Sequence, residues 1–310
     1  MRKDIFPVAD AHCDFLFGAM EYGYDINTLK RDQTIHLPYL VGGNVCLQFF
    51  AAWIDTTLRT SPLQQAMTMF DCYHRMLADN PTLTPLSADF DPDCGKIATV
   101  LAVEGGEACE GSLAMLRMFH RMGVRAMTLT WNENNELAGA AKGRQSKGLS
   151  SLGREMVEEM NRIGIALDVA HLSDTGIEDA LKISTRPLFA SHSNARAVKH
   201  TARSLPDELI RAIAEQGGVI GVNFYPPQLC DGKASIEDVV KHIMHIVSIG
   251  GVDCCAFGSD FDGMQQYPVD LHNSLDFQKL CRALKQVGFS DEHVYKIAYL
   301  NLFNYIKAFV

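Results

Sequence analysis

Short apolar runs recur along the chain, each ending in a polar residue and followed by a segment of helical period. They span 8–12, 45–51, 99–104, 125–130, 166–170, 188–191, 219–224 and 255–259. Most are nearly continuous in Val, Leu, Ile, Ala and Phe, the pattern of parallel strands covered on both faces. Between them, 62–80 spaces Leu63, Met67, Phe70 and Leu77 along one stripe. Segment 111–122 does the same with Met115, Met118, Phe119 and Met122, a set that reads as core packing. Further helical periods cover 151–162, 206–215, 236–249, 275–287 and 291–309, the last with Asp291 as its predicted N-cap. Eight strands alternating with helices predict an α/β fold, a closed (β/α)8 TIM-like barrel, as a single domain over 1–310. An open doubly wound sheet is the alternative. It calls for a Gly-rich phosphate turn after the first strand, and Asp10-Ala11-His12-Cys13-Asp14 is no such turn.

Composition narrows the class of partner. With 47% hydrophobic and 21% charged residues the chain has a large core and is neither disordered nor fibrous. A net charge of −9 argues against nucleic acid and anionic membranes, both of which need a basic surface. Met1-Arg2-Lys3 resembles the start of a signal peptide, but Asp10 ends the short apolar stretch that follows. No run of about 18 apolar residues exists, so no membrane span is expected. The nine cysteines are odd in number, scattered and without a CxxC, which favours reduced, mostly buried thiols and a cytoplasmic protein.

The polar residues at the strand ends carry the chemistry. His12 and Asp14 are two apart on the first strand, so they project together and suit a first-row metal such as zinc. Asp10 shares their parity one step deeper and reads as a core hydrogen-bonding carboxylate. Glu104 follows four apolar residues; a bridging position between two metals would satisfy both its oxygens, whereas the ordinary reading is a glutamate leaving the core into Gly105-Gly106. His171 and His192 end the fifth and sixth strands, and Asp260 and Asp262 follow the eighth. Any one of them could be a satisfied histidine or a capping aspartate. Together, His12, Asp14, Glu104, His171, His192 and Asp260 fall at five strand ends, where α/β barrels gather catalytic groups. The other eight histidines lie on predicted loops or helices and need no function.

At these residues the chain resembles the membrane (renal) dipeptidase family of zinc peptidases, in its soluble microbial branch. The resemblance covers nearly the whole chain. Its strings are Asp10-Ala11-His12-Cys13-Asp14, Val103-Glu104-Gly105-Gly106, Leu129-Thr130-Trp131-Asn132, Asp168-Val169-Ala170-His171, Ser191-His192-Ser193-Asn194-Ala195-Arg196, Asn223-Phe224-Tyr225 and Gly258-Ser259-Asp260-Phe261-Asp262-Gly263. It implies a metal-dependent dipeptidase in which a hydroxide shared by two divalent metals, most simply Zn2+, attacks the peptide bond. His12 and Asp14 would hold one metal, His171 and His192 the other, and Glu104 would bridge them. Arg203 would clamp the substrate carboxylate, Tyr225 would line the pocket, and Asp260 would carry protons. The resemblance also implies a homodimer and admits a D-residue at the C-terminal position.

One departure stands out: better-known members carry a histidine after the Leu-Thr run, where this chain has Trp131. Its role in polarising the carbonyl would fall to another group, with Asn132 or Asn134 as candidates, and Trp131 is a rim aromatic or a pocket wall. Lys142, Arg144 and Lys147 in 139–150 would favour an acidic substrate side chain, though a solvated loop is the ordinary reading. Two competing functions remain. A barrel amidohydrolase for cyclic amides, lactones or phosphoesters often bridges its metals with a fourth-strand lysine, which this chain lacks. A non-catalytic metal-binding barrel would lack Asp260 or a ligand, and none is missing.

Overall fold

Nine strands are present among the described residues, 5–145 and 147–310, of the computed structural model. The Met1-Arg2-Lys3 opening lies outside them. The strands are β1 (Val8–Asp10), β2 (Val45–Trp53), β3 (Leu83–Pro85), β4 (Ile97–Glu104), β5 (Val124–Thr128), β6 (Ala166–Asp168), β7 (Phe189–Ala190), β8 (Val219–Val222) and β9 (Cys255–Phe257). All pairings are parallel in the order β2-β1-β9-β8-β7-β6-β5-β4, and β2 pairs with β4 to close the ring. The eight predicted runs are the eight staves of this closed barrel. β3 is additional: it pairs with Ile97–Thr99 at the start of β4, before β5 joins at Leu101.

Alternation along each stave separates two apolar layers. One cluster joins Ala9, Leu47, Phe49, Val100, Ala126, Ala166, Phe189 and Ala256 to Tyr299, Leu302, Phe303, Tyr305 and Ile306 of the C-terminal segment, which plugs one end of the barrel. The other, larger cluster lies between the staves and the surrounding helices and includes Phe50, Leu101, Met127, Ile220 and Phe257. Full burial of each such side chain contributes about 1.5–3 kcal/mol.

The helices correct the sequence reading in detail. Pro62–Asp79 buries Ala66, Met69, Phe70, Tyr73 and Met76, so Met67 faces outward at 40% exposure. Leu63, Phe70 and Leu77 of the predicted stripe do pack against the core, so the buried face is the predicted one widened toward Met69 and Tyr73. In Leu113–Arg121 the buried pair is Leu116 and Phe119, while Met118 is exposed. The final helix is not continuous: Asp291–Tyr295 passes through a π-helical turn, Lys296–Leu300, into Asn301–Lys307. Its N-cap is Ser290, whose hydroxyl accepts from His293 N, rather than Asp291. All nine cysteines are free thiols. No described helix is long and apolar enough to cross a membrane.

Candidate metal centre

Glu104 is the last residue of β4 and is 3% exposed. It is in register with Trp53 on one side and Thr128 on the other, and Gly105, at φ 114°, turns the chain away immediately after it. A carboxylate ending a fully buried strand needs polar partners. It has imidazole nitrogens close to both oxygens. Oε2 lies 3.5 Å from His12 Nε2. Oε1 lies 2.8 Å from His171 Nε2 and 3.5 Å from His192 Nε2.

Each histidine is delivered by a braced strand end. β1 stops at Asp10, whose Oδ1 accepts from Ser259 N (2.8 Å) and whose Oδ2 accepts from Ser259 Oγ (2.7 Å) and Gln48 Nε2 (2.9 Å). This laces β1 to the chain after β9, as do Asp260 N donating to His12 O and Asp14 N donating to Phe261 O. The Asp10 role expected from sequence is the one seen. Asp168 does the same for the neighbouring staves. Its Oδ1 accepts from Ala170 N and Ser191 N, both at 3.0 Å, and its Oδ2 accepts from Thr128 Oγ1. That fixes His171 and His192 with their Nε2 atoms only 3.0 Å apart. In the tautomer where His192 Nδ1–H donates to Ser191 Oγ (2.7 Å), its Nε2 lone pair is left for a ligand role.

Asp14 occupies the N-cap of Phe15–Tyr22 yet makes no side-chain capping bond. Its Oδ2 turns instead to His12 Nε2 at 3.4 Å. Asp260 sits at φ 65°, an uncommon left-handed conformation for a non-glycine residue. The conformation aims its Oδ1 at His12 Nε2 (3.9 Å) while Oδ2 accepts from Asn223 Nδ2 (3.1 Å). A Cβ at Gly263 would overlap both Asp14 Oδ2 and Asp260 Oδ1, so a larger residue here would push these carboxylates off their aim. Asp262 points elsewhere: its Oδ1 accepts from Thr34 N and Thr34 Oγ1 and ties down the 33–35 segment.

The result is three interlocking ligand sets: His12, Asp14 and Glu104; Glu104, His171 and His192; and His12, His192 and Asp260. Their donors suit divalent cations. His12 Nε2 and Asp14 Oδ1 are buried without a hydrogen-bond partner, which buried polar atoms rarely tolerate. Burial, aided by the Arg203 charge, pushes His171 down to about 3, and burial with the charge of His12 holds His192 well below its usual value. Both imidazoles are thus neutral, the form a metal ligand requires. Burial alone would lower His12 too, but Glu104 and Asp14 outweigh it and hold its pKa well above normal: the carboxylates draw a positive charge to this point. Burial pushes Asp260 up to about 7, with Asp14 and Glu104 adding to the rise.

Arg203 is 3% exposed, and its Nη2 donates to His192 O (3.2 Å), while Nε and Nη1 have no partner. Burial lowers its pKa to about 10, so it stays charged. Trp131 is a rim aromatic, stacked at a tilt on Trp53 (4.9 Å between ring centroids) and facing His171 (6.3 Å). Of the two asparagines considered for the missing histidine, Asn134 is committed to its loop, accepting from Ala140 N and donating to Gln145 O. Asn132 Oδ1 is buried without a partner. Tyr225 is half-buried, its N–H donating to Asn223 Oδ1 (2.6 Å).

Three contributors escaped the sequence reading. Asn223, Asp168 and Gly263 all lie within strings quoted for the resemblance, but their braces span strands and leave no local signal.

A family model described as membrane dipeptidase (peptidase family M19) matches residues 3–309. Dipeptidase 3 of Mus musculus is 31% identical over 312 residues, covering 96% of this chain and 63% of that protein. Dipeptidase tcpJ of Claviceps purpurea is 36% identical over 217 residues, 69% of this chain and 51% of that protein. The chain thus spans between about half and two-thirds of the length of these relatives. Among solved structures, dipeptidase AC, a family M19 metallo peptidase, superposes with a TM-score of 0.90 at 27% identity over 99% of both chains. A Rhodobacter sphaeroides metallo peptidase liganded with a phosphinate mimic of L-Ala-D-Ala superposes with a TM-score of 0.91 at 24% identity, covering 99% of this chain and 100% of that one, and shares the fold.

Proposed function

Because this chain belongs to the membrane dipeptidase family, peptidase family M19, we propose that it is a dipeptidase hydrolysing the single peptide bond of a dipeptide at a site for two divalent cations. The observation that carries the reading is the division of the Glu104 carboxylate, one oxygen toward His12 and the other toward His171 and His192. In this reading His12 and Asp14 would hold one cation, His171 and His192 the other, and Glu104 would contribute to both. Imidazole and carboxylate donors favour zinc. When bound, such ions act as Lewis acids and lower the pKa of water from 15.7 toward about 7.

The chain's own groups supply the rest. Arg203, with two buried nitrogens unspent, binds the dipeptide's C-terminal carboxylate through its planar fork. Asp260, which neighbouring cations would keep ionised, would accept a proton from the attacking water and return it to the departing amine. Asn223 holds the carboxylate in that aim. Trp131 and Asn132 wall the rim, and Tyr225 lines the side near Asn223. The proposal assigns the whole of 1–310 to one catalytic unit. The nine free thiols support a reducing, cytoplasmic setting, and a homodimer rests on the family resemblance alone. The test is metal analysis of the purified protein together with turnover of an L-X/D-X dipeptide panel, with and without chelator. Absence of chelator-sensitive dipeptide hydrolysis would overturn the reading.

A further inference from the structure

His242 is one of the histidines for which the sequence suggests no function. It is fully buried on the core-facing side of the helix Ile236–Gly250, with Val239, Ile243 and Ile246. A histidine in such a place needs partners for both ring nitrogens, and it has them. Ala195 N donates to its Nδ1 (3.1 Å), and its Nε2 donates to Leu229 O (3.1 Å). A backbone N–H can only donate and a carbonyl can only accept, so the two partners dictate the tautomer: Nδ1 carries the lone pair and Nε2 the proton. Burial, which lowers the pKa of His242, favours the same neutral form.

Both partners belong to segments that carry groups of the substrate side. Ala195 is the hub of the loop 192–205. Its carbonyl accepts from Val198 N and Lys199 N, both at 3.2 Å, where the chain turns toward Arg203, and it forms a bridge with Leu205 on the return. Leu205 N donates to Asn194 O (2.7 Å) and Arg196 N to Leu205 O (2.8 Å), so Arg203 stands two residues from a closed zipper. Arg196, paired with Asp174, and Asn194, bonded to Asn223 O, anchor the flanks; the backbone of Ala195 between them is held by His242. His192 is pinned independently, by Ser191 N on Asp168 and Ser193 N on Gly221 O (2.7 Å). Leu229 ends the short helix Pro226–Leu229 that follows Tyr225. His242 thus joins the loop bearing Arg203 to the arm bearing Tyr225, and it belongs to none of the three ligand sets.

We infer that His242 is a positioning residue: through Ala195 it sets the aim of the Arg203 guanidinium, and so governs how well the enzyme holds the free C-terminal carboxylate of its substrate. This inference rests on the dipeptidase reading. The bond from Ala195 serves the clamp, and the bond to Leu229 keeps the ring in the tautomer that can accept it.

The test separates the two ring nitrogens. An asparagine amide oxygen can stand in for Nδ1 and keep the bond from Ala195, whereas a glutamine amide nitrogen can stand in for Nε2 and keep only the bond to Leu229. Steady-state kinetics of the metal-loaded enzyme are compared on Ala-Ala, with an L- or D-residue at the C-terminus, and on the matching C-terminal amides, with metal content and melting temperature recorded. His242→Gln should lower kcat/KM on Ala-Ala by about tenfold, chiefly through KM, the effect of a buried N–H left without its acceptor. Its metal content and its slow rate on the amide should stay at wild-type values. His242→Asn should retain most of the wild-type kcat/KM. Each variant forfeits one bond, so both should melt below wild type, and a merely structural histidine would make activity follow melting temperature on every substrate. If the two variants behave alike, or the His242→Gln loss is shared by the amide, the inference is wrong while the dipeptidase reading stands. If wild type hydrolyses neither form of Ala-Ala, the dipeptidase reading fails and takes the inference with it.

Discussion

The two ends of the barrel are built on opposite principles. At the floor, Tyr299, Phe303, Tyr305 and Phe309 close over the small residues Ala9, Ala126, Ala166 and Ala256, and nearly every contact is apolar and buried. At the rim, the same staves continue into His12, Asp14, Glu104, His171, His192, Asp260 and Arg203, all charged or ligating and mostly under 6% exposed, with lone pairs and N–H groups left over. The floor is stabilised by nearly every side chain, with Tyr299 Oη as its buried atom lacking a partner. The rim stores unsatisfied polarity, held in place by Asp10, Asp168 and Asn223. The comparison teaches that this fold separates what keeps it together from what it does, as barrels generally do.

Substitutions at the two ends should therefore fail in different ways. The largest effect is expected for Glu104→Gln, which removes the charge shared by both ligand sets. Activity should fall by on the order of 10³-fold or more, with loss of metal, while the metal-free protein melts near the wild-type chelated value. Retention of both metals with good turnover would end the bridging assignment. Asp260→Asn comes next: both metals stay, and turnover drops on the order of 10²–10⁴-fold, the usual worth of a positioned acid–base group. Metal analysis beside steady-state kinetics decides it, and near-wild-type kcat removes Asp260 as proton carrier.

Arg203→Ala should lower kcat/KM about a hundredfold with metal content intact. The same loss should appear when wild type is given a C-terminally amidated dipeptide; equal rates on free and amidated substrates would contradict the clamp. Phe303→Ala inverts the pattern. It should cost about 3–5 kcal/mol of stability by opening a cavity at the floor, yet leave kcat of the folded enzyme close to normal.

The smallest effect is a pH dependence. Burial raises the carboxyls of Asp260 and Asp262 to about 7, against about 3.9 in the unfolded chain. A raised carboxyl binds protons more tightly when folded, so its contribution is present in acid and lost as pH rises through about 7. The melting temperature of chelated protein should fall between about pH 4 and pH 7 and level off above that, and added metal, by depressing Asp260, should flatten the fall. Flat behaviour without metal would mean these carboxyls are not buried as described.

What the sequence disclosed follows the same division. The eight staves were legible because a parallel strand covered on both faces writes itself as an apolar run, and the ligands because a charged residue directly after such a run is conspicuous. β3 was not, being three residues ending in Pro85 at the edge of β4. The helix Phe15–Tyr22 was hidden because it starts inside the His12–Asp14 string and borrows Asp14 as a cap without its side chain. Helix Asp174–Ile183 begins three residues after His171, where attention rests on the histidine. Pairwise contacts across the barrel, such as Asn223 on Asp260 or Asp168 on Ser191, have no periodicity to read.

The central claim is that Glu104 divides its carboxylate between two cations. A crystal structure of the metal-loaded protein, with anomalous scattering recorded at the metal edge, measures this directly. Two peaks are predicted, one shared by His12, Asp14 and Glu104 and the other by His171, His192 and Glu104. A single peak, or two with Glu104 bound to only one, would contradict it.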